Sequence, residues 1–201
     1  MKSNKQFTTF VKSVERSNTK FQQANRHQKI VMVSKDILKM LELKRIKAQT
    51  GTYVDMPPVP GITMEEDDAD DKCSVQDILK MPELPACTVC AIGGAMLGTT
   101  LRLNKVNADK LSAYHGISMW YGYDMVGTAD TQASKRANSV FGTQLLRYME
   151  EAFESNNYGY VRLSTHNRLI AIYQNLIDNK GKRFTWYKDK TRVVFEIKGS
   201  K

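Results

Sequence analysis

The chain has 201 residues, 41% of them hydrophobic and 25% charged, enough for one substantial core, and neither wholesale disorder nor a fibrous repeat fits that composition. No apolar run approaches the ~20 residues of a membrane-spanning helix, so no membrane association is expected. Three cysteines, Cys73, Cys87 and Cys90, are too few and too clustered for a secreted disulfide framework; a cytosolic setting with free or metal-bound thiols is expected instead.

The formal net charge of +9 is unevenly spread. Residues 1–64 carry twelve Lys or Arg against four Asp or Glu, and residues 151–201 carry ten against five. Between them, Glu65 to Asp71 holds six acids and no base. Basic ends suit a polyanionic partner, because neutralising phosphates releases counterions, although no recognisable nucleic-acid module accompanies the charge. The candidate contacts are Lys12, Arg16, Lys20, Arg26 and Lys29 towards one end, and Lys182 and Arg183 towards the other.

Phe7, Phe10, Val11 and Val14 are spaced i, i+3, i+4, i+7, one stripe of an amphipathic helix. Residues 1–25 are therefore read as a basic N-terminal arm or short helix packed against the body, and residues 26–201 as a single mixed domain. Arg26 to Leu43 places Ile30, Val31, Val33, Ile37, Leu38, Met40 and Leu41 on roughly one face and predicts a helix. Ile46 to Val54 suggests a short strand. An acidic, Pro-rich loop follows at 55–73, whose carboxylates lack EF-hand spacing and read as solvated. Ser74 with Asp77 has capping-box logic for a brief helix from Val75 to Lys80.

The main buried helix is expected from Val89 to Asn104, with Ala91, Ile92, Ala95, Met96, Leu97 and Leu101 inward. Gly93, Gly94 and Ala95 would let a second helix approach closely. Tyr114 to Ala129 interleaves aromatics with glycines and reads as a cover over the core, with base stacking as the alternative. Helices are predicted from Ser139 to Glu154, with a turn at Asn156 to Gly159, and after a Ser164 or Thr165 cap, stopping at Asn179-Lys-Gly181. Phe184 to Tyr187 and Val193 to Ile197 compose a β-hairpin, expected to pair with the strand near Tyr53. The fold class is α+β, predominantly helical, with a small antiparallel sheet that includes this C-terminal hairpin.

The densest chemistry is Cys87-Thr-Val-Cys90-Ala-Ile-Gly-Gly-Ala95 at a helix start. A zinc site at Cys87 and Cys90 would need two further ligands from Cys73, His27, His115 and His166, and no second paired motif supplies them. Redox chemistry would need a lowered thiol pKa and a βαβ setting that is missing. Small buried thiols beneath a helix crossing are the favoured reading. His115 and His166 belong to no triad or metalloenzyme motif and read as surface or capping residues. Glu150, Glu151 and Glu154 read as a solvated helix face. No phosphate-binding loop is present.

Gly51-Thr52-Tyr53, Cys87-x-Val-Cys90-Ala-x-Gly93, Arg102-Leu103, LLRYMEEAFE at 145–154 and NRLIAIYQNLIDNK at 167–180 together resemble a family of uncharacterised bacteriophage and bacterial proteins. The likeness runs from His27 to Phe184. The Gly93-Gly94 pair, the acidic loop and the C-terminal hairpin depart from its pattern. The resemblance implies a phage-related origin and no catalytic residue. The expectation is a non-enzymatic binding protein in the infected-cell cytosol, directed at a host or phage protein or at nucleic acid through the basic ends, with no cofactor. The alternatives are a virion structural component, or a zinc or redox protein centred on Cys87 and Cys90.

Overall fold

In the computed structural model the described residues are 2–51, 54–55, 87–103, 132–155 and 162–199. In chain order they form α1 (Lys2–Arg16), α2 (Asn18–Gln23), α3 (Arg26–Glu42), β1 (Ile46–Ala48), β2 (Val54–Asp55), β3 (Cys87–Val89), α4 (Ala91–Leu103), α5 (Gln132–Phe141), α6 (Thr143–Glu154), α7 (Thr165–Asp178), β4 (Arg183–Lys188) and β5 (Thr191–Glu196). The class is α+β and mostly helical, with the antiparallel hairpin at 183–196. The acidic run, the Val75–Lys80 helix, the Tyr114–Ala129 segment, the Asn156–Gly159 turn, Cys73 and His115 all lie outside the described residues.

The centre is α4, where every residue from Ala91 to Arg102 is buried. A helix apolar on all sides must be enclosed by others, and α3, α5 and α6 pack around it. Two of its glycines are contact points. A Cβ on Gly94 would stand 2.8 Å from the Tyr173 hydroxyl of α7, and one on Gly98 would stand 2.8 Å from Val33 Cγ1 and 2.9 Å from Ile37 Cγ1 of α3. The close approach expected at Gly93 to Ala95 thus holds at Gly94 and recurs one turn on, at Gly98, which the sequence reading passed over.

The N-terminal stripe is part of this core: Phe7, Phe10, Val11, Val14 and Phe21 are all buried. The next helix starts where Asn25 forms a reciprocal cap, its side chain accepting from Gln28 N at 3.0 Å while Gln28 Oε1 accepts from Asn25 N at 3.0 Å. At the far end of the chain, Ser164 Oγ accepts from Asn167 N at 3.3 Å and opens α7, one of the two expected caps.

The helix expected as one piece over Ser139–Glu154 is two. It breaks at Gly142, whose φ of 78° is a left-handed value that a side chain resists. The reason is long-range: Arg26 of α3 donates to the carbonyls of Val140 (3.1 Å) and Phe141 (2.5 Å), closing the end of α5.

The strands also differ from expectation. β1 pairs in parallel with β3, and β2 pairs antiparallel with β3, in a three-stranded mixed sheet of order β1-β3-β2. The hairpin stays separate as a two-stranded sheet. It does not reach the strands at 46–55, because the outer edge of β4 is taken by α7, with Asn175 Oδ1 accepting from Thr185 N at 3.1 Å. Trp186 and Phe184 of β4 stack at 5.5 Å, and Tyr148 of α6 meets Trp186 at 4.4 Å, fixing the hairpin to the helical body.

Candidate functional site

Two places bring chemistry together: the start of α4, and a groove lined by lysines. At the first, Cys90 sits where β3 turns into the helix. The first amides of a helix have no intrahelical acceptor and need one from outside. Gly93 N donates to Cys90 Sγ at 3.4 Å, Gly94 N to Cys90 O at 3.0 Å, and Ile92 N to Glu150 Oε2 of α6 at 3.2 Å. The Tyr173 hydroxyl donates to Ala91 O at 2.5 Å. Two other helices, α6 and α7, thus converge on the start of α4.

Their protonation follows from burial. Cys90 is fully enclosed, and desolvation, followed by the Glu150 charge, pushes its thiol pKa well up. Glu150, partly buried, is raised to about 7, chiefly by desolvation; Glu154 adds to the rise, while hydrogen bonds from the Cys90 thiol and Ile92 N oppose it. Burial likewise raises Tyr173 well above a free phenol. The arrangement is a protonated thiol, a neutral phenol and a carboxyl group that titrates near neutrality. A thiol so placed is a packed hydrogen-bonding group, since thiolate chemistry requires the opposite shift.

Glu150 therefore leaves the solvated face to which its spacing assigned it. Its neighbours differ from it: Glu151 pairs with Lys188 at 3.1 Å, and Glu154 accepts from Gly51 N at 3.0 Å. Nothing in the local pattern of α6 signals the change. The clue lay in the apolar helix start at Cys90 to Gly94, which needed a buried acceptor from elsewhere. Among the described residues no group of three or more His, Cys, Asp or Glu side chains is placed to hold a metal ion. His27 Nε2 contacts Ile197 O at 2.8 Å, and His166 is exposed on the first turn of α7. The Cys87 side chain lies outside the described residues.

The second place is a groove of about 620 Å³ between α2, α3 and the end of α7. Val31, Met32 and Ile177 contribute apolar surface, and Lys20, Lys35 and Lys180 stand around them; among the described residues no carboxylate lines the groove. All three lysines are exposed, and none is ion-paired among the described residues. Of the sequence-predicted basic residues, only Lys20 is in this groove. Lys12 and Arg16 are exposed on α1, and Lys182 and Arg183 are exposed at the start of β4. Lys29 lies 5.8 Å from the centre of the Phe21 ring. Arg26 is committed elsewhere: besides Val140 and Phe141 it donates to Lys198 O at 2.9 Å, so its guanidinium ties the chain end to α5 rather than facing a partner. Lys35 and Lys180 were missed because one sits on the polar face of a predicted helix and the other inside a helix stop signal.

Comparison with protein-family models, curated proteins and solved structures found no match to the chain.

Proposed function

We propose that the protein is a non-catalytic binding protein that takes an acidic amphipathic segment of a protein partner into the groove between α2, α3 and the end of α7. The observation that carries this reading is the set of three lysines, Lys20, Lys35 and Lys180, that stand around Val31, Met32 and Ile177 with no ion pair among the described residues. Such a surface suits a helix with apolar anchors on one face and carboxylates beside them. A nucleic-acid strand fits it less well, because among the described residues no aromatic ring lines the groove on which bases would stack. In this reading the partner is a host or phage protein met in the infected-cell cytosol, and the other basic residues steer it towards the groove.

The test is fluorescence anisotropy with a labelled acidic amphipathic peptide, a sequence-scrambled peptide of the same composition, and a duplex DNA of equal charge. The wild-type protein should prefer the first. The triple variant Lys20→Glu, Lys35→Glu, Lys180→Glu, folded by circular dichroism, should weaken that binding by about 100-fold, from like-charge juxtaposition worth several kcal/mol. Equal binding of the scrambled peptide, tighter binding of DNA, or an unaffected triple variant would overturn the reading.

A further inference from the structure

The outer edge of β5 is built to pair with itself. In the hairpin, Lys188 is opposite Thr191, Trp186 opposite Val193 and Phe184 opposite Phe195. The two-residue turn, Asp189 and Lys190, has φ of 47° and 65°, the signature of a turn whose flanking pair is hydrogen-bonded. Hydrogen-bonded pairs then recur at every second residue, and the series continues at Ile197, whose N–H donates to Lys182 O at 2.8 Å. Thr191, Val193, Phe195 and Ile197 thus direct their backbone groups to β4. Arg192, Val194 and Glu196 direct theirs outward. On β4 the corresponding outward N–H of Thr185 is covered by Asn175, whereas among the described residues nothing accepts from or donates to the outward groups of β5.

The side chains at these three positions are exposed, and Val194, 45% exposed, is the large apolar residue left uncovered among the described residues. We infer that β5 pairs antiparallel with β5 of a second copy of the chain, about a two-fold axis through Val194, giving a continuous four-stranded sheet. In that register Val194 meets the partner's Val194, and Arg192 meets the partner's Glu196 on both sides of the axis. All three outward residues of each strand then fall on hydrogen-bonded sites, for about six new backbone bonds. The neighbouring registers are less favourable. An axis through Arg192 or Glu196 sets like charges opposite each other, which is unfavourable across strands. An axis through Val193 sets Arg192 opposite the partner's Val194 and sends Glu196 to the partner's Lys190 in the turn. One through Phe195 sets Glu196 opposite the partner's Val194 and Arg192 opposite the partner's Lys198, so both lose the Arg192–Glu196 pairs within the ladder. Lys190 and the partner's Lys198 come opposite beyond the ends of the ladder, where solvent screens them.

A single strand pair is a small interface, so the dimer is a concentration-dependent one. It is independent of the groove and of the function proposed for it. The test is sedimentation velocity between roughly 5 μM and 500 μM, a range chosen for interfaces of this size, paired with amide hydrogen exchange. The wild-type chain should pass from monomer to dimer, and the amides of Arg192, Val194 and Glu196 should gain protection as it does. Arg192→Glu or Glu196→Arg alone should raise the dissociation constant about tenfold or more, by replacing two attractive pairs with repulsive ones. The double variant with both substitutions should restore it, which a folding defect would not do. A chain that stays monomeric, a dimer that leaves those amides unprotected, or a double variant no better than either single one would overturn the inference.

Discussion

Replacing Glu150 with glutamine should convert a pH-dependent stability into a flatter one. The folded carboxyl titrates near 7, against an ordinary value of 4.5. Below about 4.5 the group is protonated in both the folded and the unfolded chain and contributes no difference. As pH rises from there, the unfolded chain ionises while the folded one keeps its proton, so the folded state loses ground until the folded group also ionises near 7. The gap corresponds to a loss of about 3 kcal/mol, at about 1.4 kcal/mol for each pKa unit. Glu150→Gln has no charge to desolvate, and its side-chain carbonyl can still accept from Ile92 N. Urea unfolding of both proteins at pH 5, 6, 7 and 8 separates this group from every other titrating one, because only the difference between the two curves is read. The variant should gain on the wild type by about 2 to 3 kcal/mol between pH 5 and pH 8. A difference that stays constant with pH, or that moves in favour of the wild type, would refute the claim that desolvation outweighs the hydrogen bonds at this site.

Three further outcomes are expected. Asp36 and Arg102 form a buried two-pronged pair, with Nε to Oδ2 at 2.5 Å and Nη2 to Oδ1 at 2.9 Å; Arg102→Met alone should cost about 3 to 5 kcal/mol in thermal or urea unfolding, and adding Asp36→Leu should recover much of it, since the isolated carboxylate is the main penalty. Gly98→Ala should cost about 1 to 3 kcal/mol, because its new methyl runs into Val33 and Ile37, and a neutral or stabilising result would mean that α3 and α4 do not cross there. In a Cys73→Ser, Cys87→Ser background, Cys90 should resist a thiol-reactive disulfide reagent in the folded protein and react only on unfolding, as its burial and raised pKa require; prompt reaction at neutral pH would contradict the enclosed geometry.

Periodicity and local stop signals made most of the helices legible. The stripe at Phe7 to Val14, the helix from Arg26, and the stop at Asn179 to Gly181 each depend on neighbours within a turn or two of the chain. What stayed hidden depends on partners far away. The break at Gly142 is set by Arg26, and the separation of the hairpin from the strands at 46–55 is set by Asn175. The parallel pairing of β1 with β3 joins residues some forty positions apart. The same divide runs through the sites. Cys90 stood out because its motif is contiguous, whereas Glu150 and Tyr173 belong to helices whose own patterns give no reason to aim a carboxyl group or a phenol at Ala91 and Ile92.

The two ends of α4 explain why Glu150 rather than Asp36 dominates the pH response. A helix dipole favours a negative group at its N-terminus and a positive one at its C-terminus, and Glu150 and Arg102 occupy those ends with the matching signs. At the C-terminal end, Arg102 meets Asp36 directly and also donates to Ser17 Oγ at 2.6 Å, so burial raises the Asp36 pKa against an opposing cation. At the N-terminal end no cation among the described residues opposes the rise; Glu150 faces a thiol, a backbone amide and the like charge of Glu154. The dipole alone contributes about 0.3 to 2 kcal/mol, less than the desolvation needed to lift the carboxyl to about 7. Raising pH through neutrality therefore adds an unpaired charge at one end of the most buried helix, while the charges at its other end continue to cancel.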